Sequence, residues 1–381
     1  MLKREYYLNV VAAAVKRSPI TALLGPRQCG KTTLAREFTR DRKAHHFDLE
    51  SPPDRARLQN AELALGLLEG IVVIDKVQVM PELFSVLRVL VDDPSCKAKY
   101  LILGSASPHI VRNVSESLAG RVEFVELSGF DLSETGGPHW KKLWSRGSYP
   151  RSFLAKSDVD SAAWREGFIK TFLERDIPQL GISIPAAAMR RFWMMLAHYH
   201  GQVWNASEIS RAMGLSDKTV RSYLDILTGT FMIRQLQPWH ENISKRQVRS
   251  PKIYFRDTGL LHSLLGLNDM QSLLGHPKAG ASWEGFACEQ VLQRVKPTAA
   301  YFWRTHTGNE IDLFLIQNGK RHGFEIKFSE TPGVTKSMHF ALKDLRLDHI
   351  WLIHPGRHLY PVHDKITVLP IQECPDISLD S

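Results

Sequence analysis

The segment GPRQCGKT, residues 25 to 32, has the residue types and spacing of a loop that binds the phosphates of a nucleotide. Gly25 and Gly30 let the backbone curl so that its N–H groups point at phosphate oxygens. Lys31 reaches the β- and γ-phosphates, and the hydroxyl of Thr32 is a ligand for Mg²⁺. We therefore predict binding of ATP or GTP with Mg²⁺ by a contiguous set of residues: Gly25, Pro26, Arg27, Gln28, Cys29, Gly30, Lys31, Thr32 and Thr33.

The segment IVVIDKVQ, residues 71 to 78, supplies the second half of such a site. An apolar strand that ends in an acid is typical of a buried parallel strand whose carboxyl end faces the phosphates. Asp75 would hold Mg²⁺ through water; the alternative is an aspartate that only caps the next turn. Lys76 follows, where nucleotide-hydrolysing enzymes usually carry a glutamate that orients the attacking water. Losing that group slows hydrolysis by ~10²–10⁴-fold.

Lys76 leaves three interpretations open. The chain is a slow or inactive ATPase, or it uses another acid, Glu50 or Asp48. The third interpretation is a substitution, native or engineered, that traps the nucleotide-bound state. In each case nucleotide binding is retained, because a cation near the γ-phosphate does not oppose it.

The elements around these residues predict a doubly wound sheet. An apolar strand from Ile20 to Leu24 precedes the phosphate loop, and an amphipathic helix follows it and adds its dipole. A third strand, residues 100 to 107, ends in small hydroxyl residues, so Ser105 or Ser107 is expected beside the γ-phosphate as a sensor. Arg121 is either a finger that reaches a neighbouring subunit's ATP or a surface cation.

Composition places the chain among soluble intracellular proteins that contact polyanions. Its 381 residues exceed one ordinary core, so we expect two or three domains. The formal charge of +9 favours nucleic acid as a partner. The four cysteines show no metal-ligand spacing, and no apolar run approaches the ~20 residues that span a bilayer. We expect a cytoplasmic location and no membrane partner.

The middle of the chain has the pattern of a helix-turn-helix followed by a β-wing. Asn205 or Ser207 begins one helix, Gly214 ends it, and Ser216 or Asp217 caps the next. We predict DNA contact, mainly to phosphates, although winged helices also serve as packing modules. The predicted DNA-contacting residues lie on the second helix and at the wing tip: Lys218, Thr219, Arg221, Ser222, Lys245, Arg246, Arg249 and Lys252.

The C-terminal region carries the spacing of a metal-dependent nuclease. Asp312, twelve intervening residues and then Glu325-Ile326-Lys327 match the PD-(D/E)XK pattern. Strand alternation puts Glu325 and Lys327 on one face, where Asp312 can join Glu325 around Mg²⁺ and the lysine can polarise water. Glu284 is the preferred additional acid, ahead of Glu289. Asn318-Gly319 marks the hairpin turn between the two strands. Retention of the fold without activity is the alternative.

These segments, with FDLESP, SLAGRV, GSYPRSFL and FIKTFLERDIPQL, resemble the prokaryotic AAA+ ATPases that have an AAA domain followed by the domain of unknown function DUF4143. The resemblance covers essentially the whole chain and implies an AAA+ core, a winged-helix region and a nuclease-like C-terminal fold. The family usually has Asp-Glu where this chain has Asp75-Lys76.

The predicted fold class is α/β, with four regions. They are a P-loop AAA+ parallel-sheet domain (1–135), a helical linker or lid (136–190), a winged-helix domain (191–275) and a restriction-endonuclease-like α/β domain (276–381). We expect a homo-oligomeric, DNA-binding ATPase that acts on forks, junctions or ends in recombination or repair. The alternatives are a nucleotide-dependent switch that binds a protein or RNA, and an ATP-gated, Mg²⁺-dependent endonuclease.

Overall fold

The computed structural model describes residues 2–105, 117–240, 249–377 and 379. These residues form two compact units. Unit 1 contains residues 1–129 and 229–231, and unit 2 contains residues 130–228 and 232–381. Three of the predicted site residues, Ser107, Lys245 and Arg246, lie outside the described residues, as does the side chain of Ser105.

Unit 1 is built on a five-stranded parallel sheet in the order β2-β3-β4-β1-β5. The two strands that carry the predicted nucleotide site, β1 and β3, are almost entirely buried and apolar, which is typical of a parallel sheet covered on both faces. The strands are β1 (Ile20–Gly25), β2 (Ala44–Asp48), β3 (Gly70–Asp75), β4 (Ala98–Ser105) and β5 (Val122–Glu126).

Helices cover both faces of this sheet. One face packs through Leu23, Leu34 and Leu103, and the other through Leu24, Leu87 and Ile102. The described helices of unit 1 are Glu5–Arg17, Lys31–Thr39, Pro52–Arg57, Ala61–Gly66 and Leu83–Asp92, with a 3₁₀ turn at Val77–Val79.

Unit 2 begins with helices and contains the predicted helix-turn-helix. Helix Ala206–Met213 ends at Gly214, which has φ +68° and so needs a residue that tolerates the left-handed region. Helix Asp217–Gly229 follows and buries Val220, Tyr223 and Leu224, as its spacing predicts. The other helices before the C-terminal sheet are Leu132–Thr135, Trp140–Arg146, Pro150–Phe153, Asp158–Thr171, Ile177–Gln179, Ala186–Tyr199, Thr258–Leu264, Met270–Leu274 and Ala279–Val295, with a π-helical turn at Phe172–Asp176 and a 3₁₀ turn at Gly137–His139.

The strands of unit 2 form one mixed nine-stranded sheet, which joins β6, the two wing strands β7 and β8, and the C-terminal strands β9 to β14. Its order is β13-β14-β12-β11-β10-β9-β7-β8-β6. The strands are β6 (Gln202–Val203), β7 (Ile233–Pro238), β8 (Lys252–Phe255), β9 (Ala300–Arg304), β10 (Glu310–Gln317), β11 (Lys320–Ile326), β12 (His349–His354), β13 (Tyr360–His363) and β14 (Ile366–Pro370). Helix Lys336–Asp344 and the 3₁₀ helix Ile371–Asp376 complete the unit.

The predicted hairpin joins β10 to β11, which pair antiparallel from Leu313–Phe324 to Gln317–Lys320. Asn318 has φ +50° and Gly319 has φ +79°, the two positive values that a tight two-residue hairpin turn requires. A P-loop parallel sheet, a helical region and a further sheet domain therefore follow one another along the chain, which confirms the predicted fold class.

Candidate functional site

The phosphate loop is shaped around the side chain of Lys31. Its buried ammonium donates hydrogen bonds to the carbonyl oxygens of Gly25 (2.8 Å) and Pro26 (2.7 Å). Burial lowers the pKa of Lys31, and nearby cations including Lys76 act in the same direction. Carbonyl oxygens therefore hold the ammonium inside the loop, with the sulfur of Cys29 4.0 Å away, and phosphate oxygens would stabilise its charge.

Two residues of the loop have backbone angles in the left-handed half of φ space. Gln28 has φ +62° and Gly30 has φ +101°. Such turns bring successive N–H groups into a concave nest for anions, here at the N-terminus of helix Lys31–Thr39. The loop thus fits the phosphates of a nucleotide.

Gly25 is required by a close approach between backbones. A Cβ atom at this position would lie 2.0 Å from the carbonyl oxygen of Leu127. The amide of Leu127 in turn donates to the carbonyl oxygen of Leu24 at 2.7 Å, so neither strand can shift independently. The predicted role of Gly25 therefore has a second, steric basis.

Thr32 and Asp75 place two magnesium-type ligands side by side. The Thr32 hydroxyl donates to Oδ2 of Asp75 at 2.5 Å. They meet because β1 and β3 are parallel and end at the same edge of the sheet, with β4 between them. Hydroxyl and carboxylate oxygens are the ligands that Mg²⁺ prefers, so these residues fit a nucleotide-bound magnesium ion.

Lys76 has an unusual backbone and an acidic partner. Its φ of +62° lies in the left-handed region, which is uncommon for a residue other than glycine. Its Nζ lies 3.5 Å from Oε1 of Glu50, an exposed residue that follows β2. The two residues are close because Asp48 and Asp75 are paired across β2 and β3. Glu50 is one of the two acids, with Asp48, that were predicted as possible replacements for the missing glutamate. It is thus paired with Lys76, the residue that stands in the glutamate's place.

Ser105 was predicted to lie beside the γ-phosphate as a sensor, and Arg121 to be either a finger that reaches a neighbouring subunit's ATP or a surface cation. The backbone of Ser105 ends β4 and pairs with Gly25 at the start of the phosphate loop, where a sensor is expected. The Arg121 guanidinium forms two hydrogen bonds to the carboxylate of Asp92, at 2.6 and 2.7 Å. Within unit 1, Arg121 is therefore a surface cation with an acidic partner.

The helix-turn-helix presents part of the predicted basic surface. Lys218, Arg221 and Ser222 are exposed on helix Asp217–Gly229, and Arg249 is exposed three residues before β8. Thr219 is half-buried; its backbone amide donates to the Ser216 hydroxyl, so it forms part of the helix cap.

Asp217 fixes this helix to the one before it. Its carboxylate accepts hydrogen bonds from the hydroxyls of Ser207 (2.8 Å) and Ser210 (2.6 Å). The hydrogen bonds hold the pKa of Asp217 below its usual range, and Arg221 and Arg211 lower it further. The acid is thus satisfied internally, while the neighbouring cations remain at the surface.

The predicted nuclease residues come together at the ends of β10 and β11. Oδ2 of the buried Asp312 accepts a hydrogen bond from the backbone amide of Ile326 at 2.9 Å, and Lys327 Nζ lies 2.7 Å from Oε1 of Glu325. Oε2 of Glu325 is buried and has no hydrogen-bond partner among the described residues. Burial raises the pKa of Asp312 well above its usual range, and the charges of Glu284 and Glu325 raise it further.

Glu284 joins these residues, whereas Glu289 does not. Glu289 pairs with Arg234, with two hydrogen bonds between carboxylate and guanidinium, and lies 3.8 Å from Arg256. Glu284 instead accepts hydrogen bonds from Tyr254 and Lys252 of β8.

The assignment of Lys252 to the exposed wing tip was wrong. Lys252 is only 3% exposed and lies within the wing strand β8, where its ammonium contacts three carboxylates of the C-terminal domain. Nζ lies 3.0 Å from Glu284 and 3.6 Å from Asp312, and it also forms an ion pair with Glu310. Burial acts to lower the pKa of Lys252, but these carboxylates raise it well above its usual value.

Glu284, Glu310, Asp312 and Glu325, with Lys252 and Tyr254, form a cluster that we call the acid centre. The sequence did not identify Lys252, Tyr254 and Glu310 as members of it. A usable signal was present, because Lys252 starts the apolar strand KIYF, in which all four residues are buried. Among the described residues, no group of three or more His, Cys, Asp or Glu side chains is arranged to hold a metal ion. No helix in the described part of the chain is long and apolar enough to cross a membrane.

Comparison with protein-family models divides the chain into three matches. Residues 17–136 match an AAA domain, residues 137–271 the domain of unknown function DUF8612, and residues 279–374 the domain of unknown function DUF4143. The AAA match contains the phosphate loop, Asp75 and Lys76, and the DUF4143 match contains Asp312 and Glu325.

Similar proteins are known in sequence and in structure. Uncharacterized proteins of Mycobacterium bovis and Mycobacterium tuberculosis are each 51% identical over 360 residues, which cover 94% of this chain and 82% of theirs. A Walker-type ATPase of Pyrococcus abyssi is 15% identical, with a TM-score of 0.51 over 70% of this chain and 96% of its own. This likeness supports the P-loop ATPase fold. The chain therefore belongs, with its mycobacterial relatives, to the prokaryotic P-loop ATPases that combine an AAA domain with a DUF4143 domain.

Proposed function

We propose that this protein is a Mg²⁺-dependent, ATP-binding protein with slow turnover that contacts DNA through its helix-turn-helix. The observation that carries the ATP proposal is the pairing of Lys76 with Glu50 beside the Thr32–Asp75 pair. It puts a cation where a water-orienting carboxylate is needed, and it engages a nearby acid that could replace that carboxylate.

Each residue of the nucleotide site has a defined task in this proposal. Lys31 and the loop amides bind the phosphates, and Thr32 and Asp75 hold Mg²⁺, which offsets the phosphate charge. Lys76 can donate a hydrogen bond but, as an ammonium, cannot accept the proton of an attacking water. Glu50 can accept that proton only when its carboxylate turns from Lys76 toward the water.

The basic face of helix Asp217–Gly229 supports the DNA proposal. Lys218 and Arg221 are exposed three residues apart, so they lie on one side of the helix. The cap at Ser216 and the bonds of Asp217 to the preceding helix hold this side in a fixed orientation. Fixed cations of this kind suit phosphates, whose spacing along the backbone is regular.

Few side chains on this face are suited to hydrogen-bond base edges. Bidentate readout in the major groove uses Arg or Lys for guanine and Asn or Gln for adenine, and among Lys218, Thr219, Arg221 and Ser222 there are two residues of the first kind and none of the second. We therefore propose preference for DNA structure, such as forks, junctions or ends in recombination or repair, over a base sequence.

A second candidate is a nucleotide-dependent switch that acts on a protein or RNA. Lys76 favours it, because a switch depends on the difference between bound and free states more than on turnover. The switch hypothesis predicts that nucleotide changes the affinity of this chain for the protein or RNA partner and leaves its affinity for DNA unchanged.

Equilibrium binding to single-stranded, duplex, forked and four-way DNA at several salt concentrations tests the DNA proposal. Lys218→Ala with Arg221→Ala should weaken binding by about tenfold or more and reduce the salt slope by about two. The control is Lys336→Ala with Lys343→Ala, which removes two exposed charges from a C-terminal helix and should leave binding unchanged. Equal binding by the two double variants, or no binding to any DNA at low salt, would contradict the proposal.

A further inference from the structure

The acid centre contains its own cation, and that cation comes from the wing. The four carboxylates of Glu284, Glu310, Asp312 and Glu325 lie around β10, β11 and helix Ala279–Val295. Lys252 enters from β8 and contacts the first three of them.

We propose that Lys252 serves as the permanent counter-ion of this acid centre, takes the place of a divalent metal ion, and fixes the wing strands to the C-terminal domain. The centre would then hold two parts of unit 2 together and would not cleave DNA. This role is separate from nucleotide binding and from DNA contact by the helix-turn-helix.

The geometry leaves the acids engaged with the ammonium. Glu284 receives hydrogen bonds from Lys252 and Tyr254, Glu310 pairs with Lys252, and one oxygen of Asp312 is bound to a backbone amide. A divalent cation needs several oxygens within about 2.0–2.6 Å of one point. An ammonium lying among the same oxygens is in the way of such an ion.

The charge count agrees with this arrangement. When all groups are ionised, the four carboxylates face the cations Lys252, Lys327 and Arg304, the last 3.5 Å from Glu310. One negative charge remains in excess. Without Lys252 the excess is two, which one divalent cation would cancel. Oε2 of Glu325, which has no hydrogen-bond partner within the described part of the chain, offers such a cation an additional ligand.

The backbone connection between the wing strands and the C-terminal strands is short. In the part of the chain that the structure describes, β7 and β9 pair at Gln237–Tyr301 and Pro238–Phe302 alone. β8 contributes no further strand pairing to the C-terminal strands in the described residues, because its partners are β6 and β7. The buried ion pairs of Lys252 connect β8 to β10, in addition to the Arg234–Glu289 pair, which connects β7 to helix Ala279–Val295.

Mn²⁺ binding to the full-length protein without nucleotide tests the proposal. All variants carry Asp75→Asn, which removes the carboxylate ligand of the nucleotide site. With Lys252 present we expect no Mn²⁺ site that depends on Asp312. With Lys252→Ala we expect one Mn²⁺ per chain and a rise in Tm on adding Mn²⁺, both of which Asp312→Asn should abolish. Lys343→Ala is the matched control and should bind as the parent does.

Two results would overturn the proposal. The first is a Mn²⁺ site in the protein that retains Lys252, lost on Asp312→Asn. The second is a folded Lys252→Ala variant that binds no Mn²⁺. If Lys252→Ala does not fold, the test is the comparison of the Asp75→Asn protein, which retains Lys252, with its Asp312→Asn variant. A Mn²⁺ site that depends on Asp312 in this protein contradicts the role of Lys252, and the lack of such a site agrees with that role.

Discussion

The hydroxyl of Thr32 lies 2.5 Å from a carboxylate oxygen of Asp75, so the two expected magnesium ligands are in contact across the end of the sheet. Thr32→Ala removes one ligand, and we expect at least tenfold weaker ATP binding in Mg²⁺. Thr32→Ser retains the hydroxyl and should bind nearly as well as the parent. A fluorescent ATP analogue, titrated with Mg²⁺ and again with excess chelator, measures this effect.

The two Thr32 variants should converge once the metal is removed. With chelator present, both should bind the analogue weakly and equally. A difference between Thr32→Ala and Thr32→Ser that persists without Mg²⁺ would show that the hydroxyl acts other than through the metal.

The two glycines of the phosphate loop should differ in what they contribute to stability. Gly25→Ala puts a Cβ 2.0 Å from the Leu127 carbonyl oxygen, and we expect a loss of about 3 kcal/mol or more in the free energy of opening β1 and β5. Gly30→Ala meets no heavy atom of the described residues within 4 Å, and its cost, from φ +101°, should be ~1–2 kcal/mol.

Hydrogen exchange of the β1 and β5 amides, followed by mass spectrometry, measures both glycine variants in the folded protein. Gly167→Ala is the control, because its Cβ also meets nothing within 4 Å in the described structure and its backbone is helical. Equal protection in Gly25→Ala and Gly30→Ala would contradict the steric role of Gly25.

Buried His262 should make the protein sensitive to acid. Burial lowers the pKa of His262 to about 3, and the ring lies 2.7 Å from the Ser282 hydroxyl and 3.0 Å from the Ser145 carbonyl. The pKa of His262 in the folded protein is below its unfolded value of about 6.5. The contribution of the neutral ring to the free energy of unfolding is therefore present above pH ~6.5 and is lost as the pH falls toward 3.

His262→Gln should remove that part of the acid sensitivity. Between pH ~6.5 and ~4.5, we expect the parent to lose ~2–3 kcal/mol more than the variant in its free energy of unfolding. Urea denaturation followed by tryptophan fluorescence reports on it, since Trp144 lies beside His262. Parallel pH profiles for the two proteins would contradict a neutral buried histidine.

The sequence was sufficient where a function depends on neighbours along the chain. The phosphate loop, the strand that ends in Asp75, the helix-turn-helix and the Asn318–Gly319 hairpin are local patterns with local physical causes. The juxtaposition of Asp312, Glu325 and Lys327 could also be predicted, because strand alternation and one tight turn determine it.

The parts that could not be predicted depend on distant partners. Lys252 belongs to a basic stretch in the sequence, but Glu284 and Glu310, which hold it, lie 32 and 58 residues further along the chain. Similarly, Arg121 directly precedes β5, and its partner Asp92 lies 29 residues earlier, at the end of helix Leu83–Asp92. A positive charge indicates a DNA-contacting residue only when no acid is folded against it.

Lys76 is the residue on which the proposed slow turnover depends. Lys76→Glu places a carboxylate where a water must be oriented, whereas Lys76→Gln removes the cation without adding a base. The two variants separate two causes of slow hydrolysis. If the positive charge of Lys76 is inhibitory, both substitutions should raise the rate; if a base is missing, only Lys76→Glu should raise it. Glu50→Gln tests whether residual turnover depends on the partner of Lys76.

The most direct test is the steady-state rate of ATP hydrolysis by the parent, Lys76→Glu and Lys76→Gln, at saturating Mg²⁺-ATP, with and without branched DNA. We predict a low rate for the parent, a rise of ~10²-fold or more for Lys76→Glu, and little change for Lys76→Gln. Equal rates for the parent and Lys76→Glu, with all three proteins binding ATP, would contradict the account.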